Sequence, residues 1–194
     1  MVSKLEHVLV RTPTTVGNFV ADAQWREPDR NSLVREHNEF VQLLEKLGCK
    51  VHVANAVDGL VDAVYMHDPM IMTPHGAILL QMGKRVRQPE PAQIRQDLER
   101  IGVPILGELT GSAIADGGDK VWLDAKTLLI GHGYRTNGEG IAQIKKMLAD
   151  MPLLREEQVF LSGIGCASRM PNYLSTYGFR GLHGGALSTT GPCC

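Results

Sequence analysis

The chain has 194 residues, and its 20 Lys and Arg against 21 Asp and Glu leave a formal net charge of −1, which argues against a nucleic-acid partner engaged by bulk positive charge. Hydrophobic residues at 43% and charged residues at 21% exclude a disordered chain and leave enough apolar surface for one domain or a small pair. No apolar run approaches the ~20 residues of a membrane span, and MVSKLEHVLV is too short and too interrupted by charge for a signal peptide, so the expectation is a cytoplasmic protein with no membrane partner.

EHVLVR reads as a first strand. NSLVREHNEFVQLLEKLG is the strongest helical pattern, with Leu33, His37, Phe40, Val41, Leu44 and Leu47 on one face, Asn31 or Ser32 as cap and Gly48 as stop. CKVHVA follows as a strand. In VYMHDPMIMTPHGAILLQMG, two apolar stretches flank Thr73-Pro74-His75-Gly76, which is hairpin-turn chemistry, and Asp68 stands directly after the apolar VYM run. AQIRQDLERIG places Ile94, Leu98 and Ile101 on one helical face before Gly102, and VPILGEL returns as a strand. DKVWLDAKTLLIG repeats the hairpin with its turn near Asp124-Ala125-Lys126. GIAQIKKMLADM repeats the helix with a stripe of Ile141, Ile144, Leu148 and Met151, and EQVFL repeats the strand. The result is about three strand–strand–helix–strand units recurring every fifty residues or so, hence an α/β fold.

After Leu161 the periodicity fails. Residues 162–194 are rich in Gly, Ser, Thr and Pro and nearly free of acidic and aliphatic residues, which predicts an irregular tail and suggests a shifted reading frame. Of the cysteines at 49, 166, 193 and 194, none has CxxC or Cys/His zinc spacing, so thiols rather than a metal site are expected. No GxxxxGK[ST] or GxGxxG occurs, and no cofactor is expected.

Several polar residues stand out. Asp68 lies at a loop rim before Pro69, where it reads either as a site carboxylate or as an ordinary turn initiator. Asp116-Gly117-Gly118-Asp119 is either a compact acidic corner or a plain Asp-Gly turn. In Arg135-Thr136-Asn137, the Arg offers a fork to a carboxylate or pairs with the acidic corner, and Thr136 or Asn137 can cap the following helix. Arg87 lies in a basic run that reads as a solvated face. Met66 and Trp122 fit core positions, and His67, His132 and the Glu36-His37 pair fit structural roles. Together, carboxylates in two successive units suit a planar cation, and nearby arginines suit a carboxylate, so an arginine-like molecule would satisfy both ends.

VYMHDPMIMTPHGAILLQMGKRVRQPE, DGGDKVWLDAKTLLIGHGYRTNGEG and the early helix with EHNEF resemble the guanidino-group-modifying enzymes: amidinotransferases, arginine deiminases and dimethylarginine dimethylaminohydrolases. The resemblance covers residues 1 to about 161, with D/E-GG-D followed by RTN as its specific part. It implies a pentein, an α/β propeller of five ββαβ-type units, of which about three are accounted for here: a partial domain at 1–161 and the tail at 162–194. It implies that Asp68 holds the guanidino group, that Arg87 and Arg135 contact the substrate's carboxylate, and that Asp116 orients the catalytic histidine and contacts substrate, with Asp119 completing the motif. Where several relatives carry another acid before the Asp68 position, this chain has His67.

The implied reaction is hydrolysis, or amidine transfer, at the guanidino group of arginine or a methylated arginine. A cysteine thiolate attacks the guanidinium carbon to give a thiouronium intermediate, and a histidine protonates the departing amine. The late His and Cys of this chain, His183 in GLHGG and the terminal Cys193 and Cys194, are the candidates by order alone and do not match the family's context. The alternative is a guanidino-binding remnant without turnover. An incomplete propeller leaves open sheet edges that a homodimer could cover.

Overall fold

A computed structural model describes residues 5–23, 26–124 and 127–149, together with the backbone of 158–162. Period-two apolar runs form short strands and period-3.6 runs form the helices that connect them. In chain order these are β1 (His7–Arg11), α1 (Phe19–Ala23), α2 (Arg30–Lys46), β2 (Lys50–Ala54), β3 (Met70–Thr73), β4 (Gly76–Leu79), α3 (Glu90–Arg100), β5 (Ile105–Glu108), β6 (Lys120–Trp122), β7 (Thr127–Gly131), α4 (Gly138–Ala149) and β8 (Gln158–Ser162). Single 3-10 turns occupy Val61–Val64, Arg85–Arg87 and Gly117–Asp119.

Three small sheets result. In the second sheet, β3 and β4 pair antiparallel from Met70↔Leu79 to Thr73↔Gly76, and β4 pairs parallel with β5 after the α3 crossover. The third repeats this order, with β6–β7 antiparallel and β7–β8 parallel from Thr127↔Gln158 after α4. A parallel return needs a crossover long enough for a helix, and α3 and α4 supply it after the two hairpins. The first sheet, β1 parallel to β2, has one strand fewer among the described residues than the repeat predicts. The fold class is α/β, as expected.

The hairpin turn before β4 forms as read. Thr73 Oγ1 donates to the Gly76 carbonyl at 3.0 Å and accepts the His75 N–H at 3.1 Å. Gly76 sits at φ +146°, and a Cβ there would overlap the Pro104 carbonyl oxygen, so only glycine lets β5 close on the turn. Val64-Tyr65-Met66, expected as strand, is instead the end of a 3-10 turn and the loop after it. Asp68 therefore precedes β3 rather than following a strand.

Two clusters form the core. Ile94 and Leu98 of α3 pack with Met66, Met70, Ala77 and Leu79, while Ile141, Ile144 and Leu148 of α4 pack with residues such as Ile78, Leu128 and Ile130. Trp122 packs on the second cluster and donates its Nε1–H to the Met72 carbonyl at 3.1 Å. Met151, assigned to the α4 stripe, lies outside the described residues. Between β1 and α3, buried Arg11 pairs with Asp97 at 2.5 Å and donates to the Asn55 carbonyl at 2.8 Å, fastening the first sheet to the second.

The α2 cap differs from expectation. Asp29, not Asn31 or Ser32, is the N-cap, and its carboxylate accepts the Ser32 N–H at 2.6 Å. Gly48 ends the helix at φ +86°, as predicted. Of the face assigned to the core, Leu44 is buried, whereas Phe40 and Leu47 are exposed. Among the described residues, no helix is long and apolar enough to cross a membrane.

Leu98 is 1% exposed and Leu47 is 65% exposed, so truncating each separates packing from propensity. Leu98→Ala is expected to cost about 2–5 kcal/mol of unfolding free energy. Leu47→Ala should stay within about 0.5 kcal/mol of the parent. Urea denaturation followed by circular dichroism measures both.

Candidate active site

The site is built on a backbone contact between the second and third sheets. Gly117 N–H donates to the Asp68 carbonyl at 2.6 Å, and a Cβ on Gly117 would overlap the His67 carbonyl oxygen. Glycine is thus required for close approach, and the contact sets Asp68 and Asp116 side by side. Asp116 folds its own turn, since its Oδ1 accepts the Gly118 N–H at 2.7 Å, as Asx-turn residues do. Asp119 accepts from Arg135 Nη2 at 2.5 Å and from Thr136 Oγ1 at 2.9 Å. Fully buried Thr136 accepts the Asp116 N–H in return at 3.2 Å. Asn137 caps α4, its Oδ1 accepting from Gly140 N–H at 2.8 Å and Ile114 N–H at 3.2 Å. DGGD and RTN are therefore two halves of one hydrogen-bonded unit.

Arg87 is the centre of the charge network. Its Nε and Nη2 each donate to Glu90 at 2.8 Å in a two-pronged pair, and its Nη1 donates to Asp68 at 2.8 Å. Asp62 and Asp116 each approach the same guanidinium to 3.9 Å. Arg87 is 7% exposed, so the solvated-face reading of its basic run is incorrect here, while the neighbouring Lys84 pairs with Asp62 at 2.7 Å. Burial alone would lower the basicity of Arg87, but the hydrogen bonds to Glu90 and Asp68 more than offset it and hold the group charged. Burial raises the Glu90 carboxyl against the pull of Arg87. Burial and the Asp68 charge raise Asp116, against the Gly118 N–H, Arg135 and Arg87.

Asp68, Arg87, Asp116, Asp119 and Arg135 are thus brought together. Arg135, about half exposed, reaches Asp116 at 3.4 Å as well as Asp119 and retains a solvent-facing side. His183, Cys193 and Cys194 lie outside the described residues. Cys49 is remote from the corner, its Sγ against the Leu5 carbonyl at 3.4 Å. Among the described residues, no group of three or more His, Cys, Asp or Glu is arranged to hold a metal ion.

The residue that sequence reasoning passed over is Lys120. Its Nζ lies 3.3 Å from His67 Nε2. Burial pushes its amine down to about 8, partly offset by Asp68 and Asp116. Burial and Lys120 lower His67 in turn. Strand alternation from DGGD was the available signal, because it puts position 120 on the same face as Trp122.

The model of the family "N,N dimethylarginine dimethylhydrolase, eukaryotic" matches residues 6–154. The chain belongs to this family. It is 22% identical over 144 residues to the N(G),N(G)-dimethylarginine dimethylaminohydrolase of Pseudomonas aeruginosa, covering 74% of this chain and 56% of that protein. The chain therefore spans little more than half the length of this relative. The solved structure of DDAH from Pseudomonas aeruginosa in complex with citrulline superposes with a TM-score of 0.70 at 19% identity, covering 84% of this chain and 62% of that one. SxtG, an amidinotransferase from Microseira wollei, superposes at 0.65 with 18% identity, covering 84% and 60%. At these identities the structural likeness carries the fold. A separate match is short and strong: 43 residues, 22% of this chain, are 56% identical to the 2-oxoglutarate oxidoreductase subunit KorB of Mycobacterium tuberculosis, covering 12% of that protein.

Replacing Arg87 by Met tests the network. It leaves buried Glu90 and half-buried Asp68 without their countercharge, an expected loss of about 3–5 kcal/mol at pH 7. Glu90, already raised by burial, would lose the opposing pull of Arg87, so the folded state would disfavour its charged form further relative to the unfolded value of about 4. The deficit should be full above that range and shrink as pH falls toward 4. Denaturation midpoints of parent and variant from pH 4 to 8 measure it.

Proposed function

We propose that residues up to about 161 form part of a guanidino-group hydrolase or amidinotransferase of the pentein type, with about three of the five propeller units, acting on arginine or a methylated arginine. The observation that carries this reading is the pair Asp68 and Asp116, set side by side by the Gly117 contact. Two carboxylates on adjoining backbone segments suit the forked N–H donors of a guanidinium. Family membership and the citrulline-bound relative support the same substrate class.

In this reading Asp68 and Asp116 hold and polarise the guanidinium. Arg135, with its solvent-facing side, binds the substrate's carboxylate. Arg87 has its N–H groups directed at Glu90 and Asp68, and it serves the site by fixing Asp68 rather than by reaching the substrate. A complete reaction requires a thiolate to add to the guanidinium carbon, forming the C–S bond. The C–N bond to the departing amine then breaks as a histidine supplies the proton, and water or an acceptor amine resolves the thiouronium. Without a positioned nucleophile the same corner binds guanidino compounds without turnover, which is the second reading.

The domain division is also a proposal. The matched family model ends at residue 154, close to where the strand and helix periodicity stops. The shifted-frame reading of residues 162–194 is kept as part of this proposal. Sequencing transcripts across codons 150–165 checks it: a frame change restoring the dimethylarginine family's pattern supports the shifted frame, and a continuous message carrying the tail in frame refutes it.

The test of function is calorimetry and product analysis on the purified chain. L-arginine or its N(G),N(G)-dimethyl derivative is expected to bind, and Asp68→Asn to weaken binding at least about tenfold while leaving circular dichroism unchanged. Citrulline release, or amidine transfer to an added amine, supports the enzyme; binding without product supports the remnant. Absence of binding by both compounds rejects the guanidino reading.

A further inference from the structure

Lys120 opens β6 immediately after Asp119, and β6 is too short to carry it away from the acidic corner. Alternation sends Lys120 and Trp122 to the same face and leaves Val121 half exposed on the other. Both side chains cross to the preceding unit, Trp122 to the Met72 carbonyl and Lys120 to His67. His67 is the residue before Asp68, and its carbonyl oxygen is the atom against which Gly117 packs. The ammonium of Lys120 therefore stands beside His67, next in sequence to Asp68, where the charges of Asp68 and Asp116 act on it.

We propose that Lys120 is a specificity-determining residue of this corner: its ammonium adds a dischargeable positive charge beside the carboxylates, and a guanidinium settles against Asp68 and Asp116 as Lys120 releases its proton to solvent. The inference rests on the guanidino reading above and adds a condition to it.

The charge arrangement around Lys120 supports the competition. The segment before β3 presents His67 and Asp68, with Tyr65 beyond them. The turn before β6 presents Asp116, the approach to α3 presents Arg87, and the segment before α4 presents Arg135. Of these, Asp68 and Asp116 stabilise the Lys120 ammonium, while His67, itself lowered by burial and by Lys120, supplies a neutral ring nitrogen as acceptor. Arg87 is directed at Glu90 and Asp68, and Arg135 at Asp119 and Asp116. A guanidinium entering beside a charged Lys120 would share these two carboxylates with a third cation. Once the amine is neutral, the entering guanidinium replaces the lost charge, and the Lys120 amine can accept from its N–H groups. The amine is pushed down to about 8, so this exchange falls within an accessible pH range. The sign is definite: the competing charge is present below about pH 8 and lost above it, so guanidinium affinity should rise with pH.

The probe is Nα-acetyl-L-arginine, whose single cation is the guanidinium at every pH used. Calorimetric affinity for the parent chain is expected to be about tenfold tighter at pH 9 than at pH 7, since binding to the neutral amine alone gains about tenfold per pH unit below its pKa. Lys120→Met should bind at pH 7 about as tightly as the parent at pH 9 and show no slope. Lys120→Arg, which cannot discharge, should bind weakly at both. Lys120→Gln serves in place of Met if the latter's melting curve is altered. Reductive 13C-methylation of the lysines and titration by NMR should show one dimethylamine with a midpoint well below the others, absent from Lys120→Met. Binding with no pH slope, or a slope unchanged in Lys120→Met, overturns the role of Lys120 while leaving the guanidino reading intact. Absence of binding by parent and Met variant alike at pH 9 removes both.

Discussion

One buried guanidinium organises the described structure around the corner. Arg87 meets Glu90 at the start of α3 and Asp68 before β3, and it lies within reach of Asp62 and of Asp116 before β6. These carboxylates come from four segments between residues 62 and 116, and without the cation they would repel one another in a poorly hydrated place. Burying such a group adds little net stability compared with an apolar substitute, but removing one partner is costly. Arg87 is thus better understood as fixing the relative position of segments that the two apolar clusters already hold together.

Around that centre the architecture uses the same location twice. Each complete unit is a hairpin, a helix and a parallel returning strand, and each places a carboxylate in the segment entering the hairpin. Asp68 precedes β3, and Asp116 precedes β6. The two units meet there through the Gly117 contact, while the helices α3 and α4 bury their apolar stripes on the clusters behind. The hydrogen bonds joining DGGD to RTN tie the rim of the corner to the start of α4, so α4 packing and site geometry are mechanically linked.

Much of this was legible in the sequence where a physical period or a turn signal was present. The stripes of α3 and α4, the Thr73–Gly76 turn and the capping role of Asn137 follow from local rules, and the pairing of Arg135 with the acidic corner was one of two stated options. What was not legible depends on distance along the chain. Arg87 reads as part of a solvated basic run until Asp68 and Glu90 are placed beside it, and the Arg11–Asp97 pair spans most of the first two units. Tyr65-Met66 is apolar enough to suggest a strand, yet Pro69 and the 3-10 turn before it displace strand formation to residue 70. Lys120 escaped notice because a lysine at the start of a strand ordinarily points into water. The α2 face misled in the opposite sense, since an apolar stripe predicts burial without saying which residues of the stripe will be covered.

The Gly117 contact has a consequence for how such a site can diverge. It joins the two segments through main-chain atoms, and the side chains at 67 and 120 take no part in that contact. Those two side chains are therefore free to be replaced one at a time without losing the frame, provided residue 117 remains glycine. A lineage could retune ligand charge, size or pH response at this rim by single substitutions, while the one position that contributes no side chain stays under the strictest constraint.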